Sequence, residues 1–149
     1  MKLSIFVWLI ACTTLLATDY PQEFARVKKE GDEKKIELLL GEWLKSEVDK
    51  PDAFIAAANY YWHKSSGVGM STRRAEQGDI VIADPKTGKE VGSIYATTNP
   101  QHVKTAIDYL HQALKKFPQR LDIWFGLAEI QQDSGDFDGE LTTLKDICL

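Results

Sequence analysis

A chain of 149 residues, 44% hydrophobic and 27% charged, has an ordinary globular balance and enough length for one domain with a modest core. Its formal charge of -4 and pI near 5.4 exclude the basic footprint on which nucleic-acid binding depends. Two cysteines, Cys12 and Cys148, exclude a disulfide-stapled scaffold.

At the start of the chain, Lys2 precedes an apolar run from Leu3 to Ala17 that is broken by Ser4, Cys12, Thr13 and Thr14. A positive start, an apolar stretch of about 7–15 residues and a small-residue end describe a secretory signal peptide. The run stops before the roughly 20 apolar residues that a membrane span needs. Cleavage after Ala17 would begin the mature chain at Thr18. Without Lys2 it would carry 17 basic against 22 acidic residues, a charge of -5, with Cys148 as its one cysteine. A rival cut exists, because Leu9-Ile10-Ala11-Cys12 looks like the bacterial lipobox, whose cysteine is lipidated and becomes the N-terminus.

Tyr20 to Lys29 reads as a first helix, and Gly31-Asp32 as the turn after it. Ile36, Leu40, Trp43 and Leu44 then give the i, i+4, i+7, i+8 stripe of an amphipathic second helix. After Pro51 an apolar run, Phe54-Ile55-Ala56-Ala57-Ala58 and then Tyr60-Tyr61-Trp62, predicts a third. Ser65 to Arg74 is polar and glycine-rich, which predicts a mobile loop. Ile80-Val81-Ile82-Ala83 and Val91-Gly92-Ser93-Ile94-Tyr95 are β-rich runs on either side of Asp84-Pro85-Lys86-Thr87-Gly88-Lys89. Pro85 presets that turn and Gly88 supplies a positive φ, so a β-hairpin is expected. Two strands alone are marginal in water, so the hairpin should lie against the helices or a partner. The last third holds Ala106-Ile107-Asp108-Tyr109-Leu110, Ala113-Leu114 and Phe117-Pro118, then Trp124-Phe125-Gly126-Leu127-Ala128, Gly135-Asp136-Phe137 and Leu141 to Leu149.

Ala106, Leu110, Ala113, Pro118, Trp124, Leu127, Ala128, Gly135 and Leu144 fall in one register, and that register resembles the tetratricopeptide repeat (TPR), with its period of about 34 residues. Phe54 and Trp124 are 70 residues apart, so the middle repeat carries an excess of about 36 residues over that period. The resemblance implies an all-α fold, a short right-handed solenoid of antiparallel helix pairs with a β-hairpin insertion in the middle repeat. A signal peptide at 1–17 would precede a helical domain at 18–149. The repeats would span about 18–50, then 51–64 with 101–118, then 121–149, with the insertion at 65–100. Ile36 and Trp43 stand where the family keeps small residues, a departure expected of a capping terminal repeat. Leu149 falls inside the second helix of the last repeat, so a further repeat or a partner is expected to cover Leu141, Leu144 and Ile147.

Chemistry-bearing patterns are sparse. His63 ends a helix, where a cation suits the dipole, but no serine or cysteine nucleophile motif accompanies it. Asp108 and His111 could share a helix face as half of a metal site, without a second pair of ligands. Gly67 and Gly69 lack the third glycine of a dinucleotide fingerprint, and Gly88-Lys89-Glu90 is not a phosphate loop. Arg73-Arg74 could fork onto a carboxylate or phosphate, or simply be solvated. No catalytic residue, cofactor or metal is expected.

In the TPR family the first helix of each repeat lines a concave groove that receives a peptide or protein. Carried over by register, the groove positions are Ile55, Asn59, Trp62 and His63 in the middle repeat, and Phe125, Glu129, Gln132 and Asp133 in the last. Trp62 and Phe125 could equally be core aromatics. The branch that grips a terminal carboxylate uses a Lys and Asn set; Pro21 and Ala25 occupy its first places here and Asn59 alone agrees, so that activity is not implied. The expectation is an exported bacterial interaction module, periplasmic or secreted, that binds a protein or peptide partner. Alternatives are a subunit of an outer-membrane assembly anchored through Cys12, an enzyme using the insertion with His63, and an inhibitor using the insertion as a plug.

Overall fold

The computed structural model describes residues 18–148. The expected signal peptide, its cut after Ala17, the rival Cys12 and the terminal Leu149 lie outside the described residues. The described chain is mostly helical with a small antiparallel sheet. Among the described residues no helix is long and apolar enough to cross a membrane. Two compact units divide it, and the boundary, between Leu39 and Leu40, falls inside a helix.

In the first unit, α1 (Tyr20–Glu30) starts where the Asp19 carboxylate accepts from the Gln22 N–H at 3.2 Å, with a proline in the first turn. Glu23 at its start and Lys28 and Lys29 at its end match the helix dipole. Gly31, at φ +73°, closes α1 in the left-handed region. Asp32 then opens α2 (Glu33–Ser46), accepting from the Lys35 N–H at 3.2 Å. Val27 and Ile36 are buried.

The second unit holds the rest of α2, with Leu40 and Trp43 buried, and then α3 (Asp52–Ser65), α4 (Pro100–Lys116), α5 (Leu121–Asp133) and α6 (Phe137–Ile147). α3 packs on α4, α4 on α5, and α5 on α6. Their shared core contains Phe54, Ala58, Val103, Ala106, Leu110, Ala113, Leu114, Ile123, Leu127 and Ile130. The alanines Ala58, Ala106 and Ala113 have no exposed surface; their small side chains let the helices approach closely while the larger side chains interdigitate. Burying each of Leu110, Ile123 and Leu127 contributes about 1.5–3 kcal/mol. Tyr61 stacks on Tyr109 with ring centres 5.8 Å apart, and Phe54 meets Phe117 edge-on at 6.4 Å. At the far end α6 buries Thr143 but leaves Phe137, Leu141 and Leu144 exposed.

Between α3 and α4 the chain forms three strands, β1 (Ser66–Ser71), β2 (Ile80–Ala83) and β3 (Glu90–Thr98), in the order β1-β3-β2. This corrects the expected glycine-rich mobile loop: Ser66–Ser71 is a full strand, paired antiparallel to β3 from Ser66 opposite Thr98 to Ser71 opposite Ser93. The glycines make room for what lies above them. A Cβ on Gly69 would fall 2.5 Å from the Tyr95 ring, and one on Gly67 would fall 2.7 Å from the Thr97 hydroxyl. Arg73 stacks over Tyr95 at 4.7 Å and pairs with Asp79 and Glu76 at 2.9 Å each. The segment joining β1 to β2 therefore crosses the Tyr95 face. The expected strands and turn are present, with β3 longer than anticipated and Gly88 at φ +66°.

Candidate functional site

Ile55, Asn59, Trp62 and His63 stand at i, i+4, i+7 and i+8 and share one face of α3. With Leu110 of α4 and Asp122, Ile123, Gly126, Glu129 and Ile130 of α5, they line a cleft of about 370 Å³. Ile55 and Trp62 are half-buried and pack on the core while still lining this cleft. Asn59, His63 and Glu129 are exposed at its surface.

Gly126 shapes the α5 wall. It sits inside a 13-residue helix, where glycine costs about 0.5–1 kcal/mol relative to alanine. A Cβ built on it meets nothing within 4 Å, and its φ is not positive. Neither packing nor backbone geometry demands a glycine here. Its consequence is open volume in the cleft.

The charges on that wall are fixed locally. Arg120 donates from Nε and Nη2 to the two Asp122 carboxylate oxygens at 2.8 and 2.7 Å. This fork, more than any other contact, holds the Asp122 carboxyl below the usual range, so Asp122 is ionised at neutral pH. Arg120 offsets the Asp122 charge, so Glu129 is the acidic group that the cleft offers to a ligand carrying a cation or several N–H donors.

Of the positions expected from sequence, Ile55, Asn59, Trp62, His63 and Glu129 are brought together here. Phe125, 55% exposed, and Gln132 do not line the cleft, and neither does Asp133. The cause is helical phase. Ile123, Leu127 and Ile130 point into the core, and Phe125, about 200° around the helix from Ile123 and Leu127, must point away from it. Leu110, Asp122, Ile123, Gly126 and Ile130 were not anticipated; the interior glycine was the one signal in the sequence that could have pointed to them.

A second concavity, of about 590 Å³, lies among α4, α5 and α6, with His111, Lys115, Asp138 and Asp146 among its lining residues. At its base the Thr143 hydroxyl donates to the Gln131 amide oxygen at 2.7 Å, both residues being buried. Asp108, which could have joined His111, pairs instead with Lys104 at 2.7 Å. Among the described residues no group of three or more His, Cys, Asp or Glu side chains is placed to hold a metal ion. No protein-family model, curated protein or solved structure matches the chain.

Proposed function

We propose that the chain is an exported, TPR-like interaction module whose cleft between α3 and α5 binds an extended peptide. The reading of the helix succession as a right-handed solenoid of antiparallel pairs rests on the shared register of Ala106 to Leu144. It is supported by the recurrence of one turn chemistry, a left-handed glycine followed by a capping aspartate, at Gly31-Asp32 and Gly135-Asp136. The observation that carries the binding proposal is Gly126, a helix-interior glycine that leaves cleft volume open where packing would accept a side chain. An apolar ligand side chain would enter beside Gly126 against Ile55, Trp62 and Ile130. A neighbouring basic or amide group would meet Glu129, and Asn59 would hold the ligand backbone.

The test is Gly126→Leu, which extends a side chain into the cleft from a position where a Cβ meets nothing within 4 Å. Fluorescence polarisation against unstructured hexapeptides, each with a leucine beside a lysine, reads binding, while circular dichroism and thermal melting read the fold. Saturable binding by the parent and its loss in a variant of unchanged or raised melting temperature is the expected result. Equal binding by both proteins would sink the cleft as the working surface. Export rests on the 1–17 pattern and predicts a mature N-terminus at Thr18 by mass spectrometry; an acylated N-terminus at Cys12 would replace it with the membrane-anchored alternative.

A further inference from the structure

Among the described residues the sheet has two open edges, and they are unlike. β2 is short, flanked by Asp79 and Asp84, followed by Pro85, and irregular in register between Ile82 and Ala83. Each of these features discourages another strand from adding to it. β1 has none of them: six residues, Ser66-Gly67-Val68-Gly69-Met70-Ser71, with no charge, no proline and an unbroken register against β3.

The direction of its free backbone groups follows from one bond. The Asn99 N–H donates to the Ser65 carbonyl at 2.8 Å, continuing the β1–β3 register by one pair. Backbone polar groups alternate in direction along a strand, so those of residues 67, 69 and 71 face β3. Those of Ser66, Val68 and Met70 point outward, away from the sheet. Val68 and Met70 are 77% and 72% exposed, on the same face as Ile80, Ile94 and Ala96. The opposite face carries Tyr95, Arg73 and the crossing segment, while on the Val68 face Val68, Met70 and Ile80 are exposed.

We propose that β1 pairs antiparallel with β1 of a second copy of this chain, about a two-fold axis through Gly69, joining two three-stranded sheets into one of six. The sequence is self-complementary about that residue. Val68 falls opposite the partner's Met70, Gly67 opposite the partner's Ser71, and Ser66 opposite the partner's Thr72. Residues that face each other in an antiparallel pair share a sheet face, so a centre on Gly69 puts apolar against apolar and small against small. It also aligns the outward N–H and C=O groups of Val68 with those of the partner's Met70. The six strand residues meet their own copy without like charges, and Lys64 and the partner's Arg74, which the same register sets opposite each other, lie beyond them; β2 would bring together Asp79 and Asp84, which adjoin its two ends. The Val68 faces of the two copies become continuous.

Sedimentation equilibrium of the full chain over a wide concentration range, with circular dichroism alongside, tests this. The parent is expected to pass from monomer to dimer mass as concentration rises. Val68→Pro removes an outward N–H while sparing the ladder to β3, and should weaken dimerisation by about ten-fold or more without lowering the melting temperature. A second pair of variants tests the register and does not depend on proline being tolerated. Val68→Lys alone should weaken the dimer, and adding Met70→Glu should restore it, since each new cation then faces a new carboxylate across the two-fold axis. A parent that stays monomeric throughout would overturn the proposal, including the case in which an extended segment of another protein occupies the edge. So would a dimer indifferent to both Val68→Pro and the charge pair.

Discussion

Between α5 and α6 the chain turns through Ser134, Gly135 and Asp136, while between α3 and α4 it runs out through residues 66–99 as a sheet before returning. The short link depends on single residues. Gly135 at φ +81° reverses the direction, and the Asp136 carboxylate accepts from the Gly139 N–H at 3.0 Å to start α6. The long link depends on strand pairing, with residues far apart in sequence holding one another in place. A defect in the first reaches helices that share the core, whereas a defect in the second can stay within the sheet.

One substitution made at two sites separates these behaviours. Gly135 and Gly88 both have positive φ, and a Cβ on either would meet nothing within 4 Å, so valine strains the backbone in both places and crowds nothing in either. Gly135→Val should lower the stability of the helical core by about 1–2 kcal/mol, measured by urea denaturation. Gly88→Val should leave that transition nearly unmoved and accelerate amide hydrogen exchange in β2 and β3. Equal loss of global stability from both variants would mean that sheet and helices unfold as one cooperative unit, and the contrast between the two links would fail.

The two links also differ in how far the sequence announces them. Gly31-Asp32 and Gly135-Asp136 are readable because a glycine followed by an aspartate between amphipathic stretches contains the whole chemistry of the turn. β1 was not readable. Ser66-Gly67-Val68-Gly69 has weak intrinsic strand preference, and what makes it a strand is Thr97 over Gly67 and Tyr95 over Gly69, both supplied by β3. The cleft divides the same way. Its α3 wall follows from the i, i+4, i+7, i+8 spacing of Ile55, Asn59, Trp62 and His63. Its α5 wall follows from which of Ile123, Phe125 and Leu127 the core takes, a choice made by packing against α4 and α6 rather than by spacing alone.

A smaller effect sharpens the comparison through acidity. In the turn between β2 and β3, Asp84 Oδ1 accepts from the backbone N–H groups of Thr87 and Lys86 at 2.8 Å each and from the Thr87 hydroxyl at 3.1 Å. These donors, the Thr87 N–H foremost, hold the Asp84 carboxyl below the ordinary aspartate value. A carboxyl whose folded value is depressed contributes stability that is complete above its unfolded value, about 3.9, and is lost as pH falls through the folded one. The turn should therefore loosen in acid below the ordinary aspartate range, and because every donor to Asp84 Oδ1 belongs to its own turn the change should be local. Carboxyl titration by NMR should give a depressed Asp84 midpoint, with Thr87 amide protection falling along the same curve. Asp84→Asn should abolish that pH dependence while leaving the α5–α6 turn unaffected. Thr87 protection that stayed constant while Asp84 took up its proton would mean that strand pairing alone sets the turn, and the sheet would then owe nothing to the single-residue chemistry on which Gly135 and Asp136 depend.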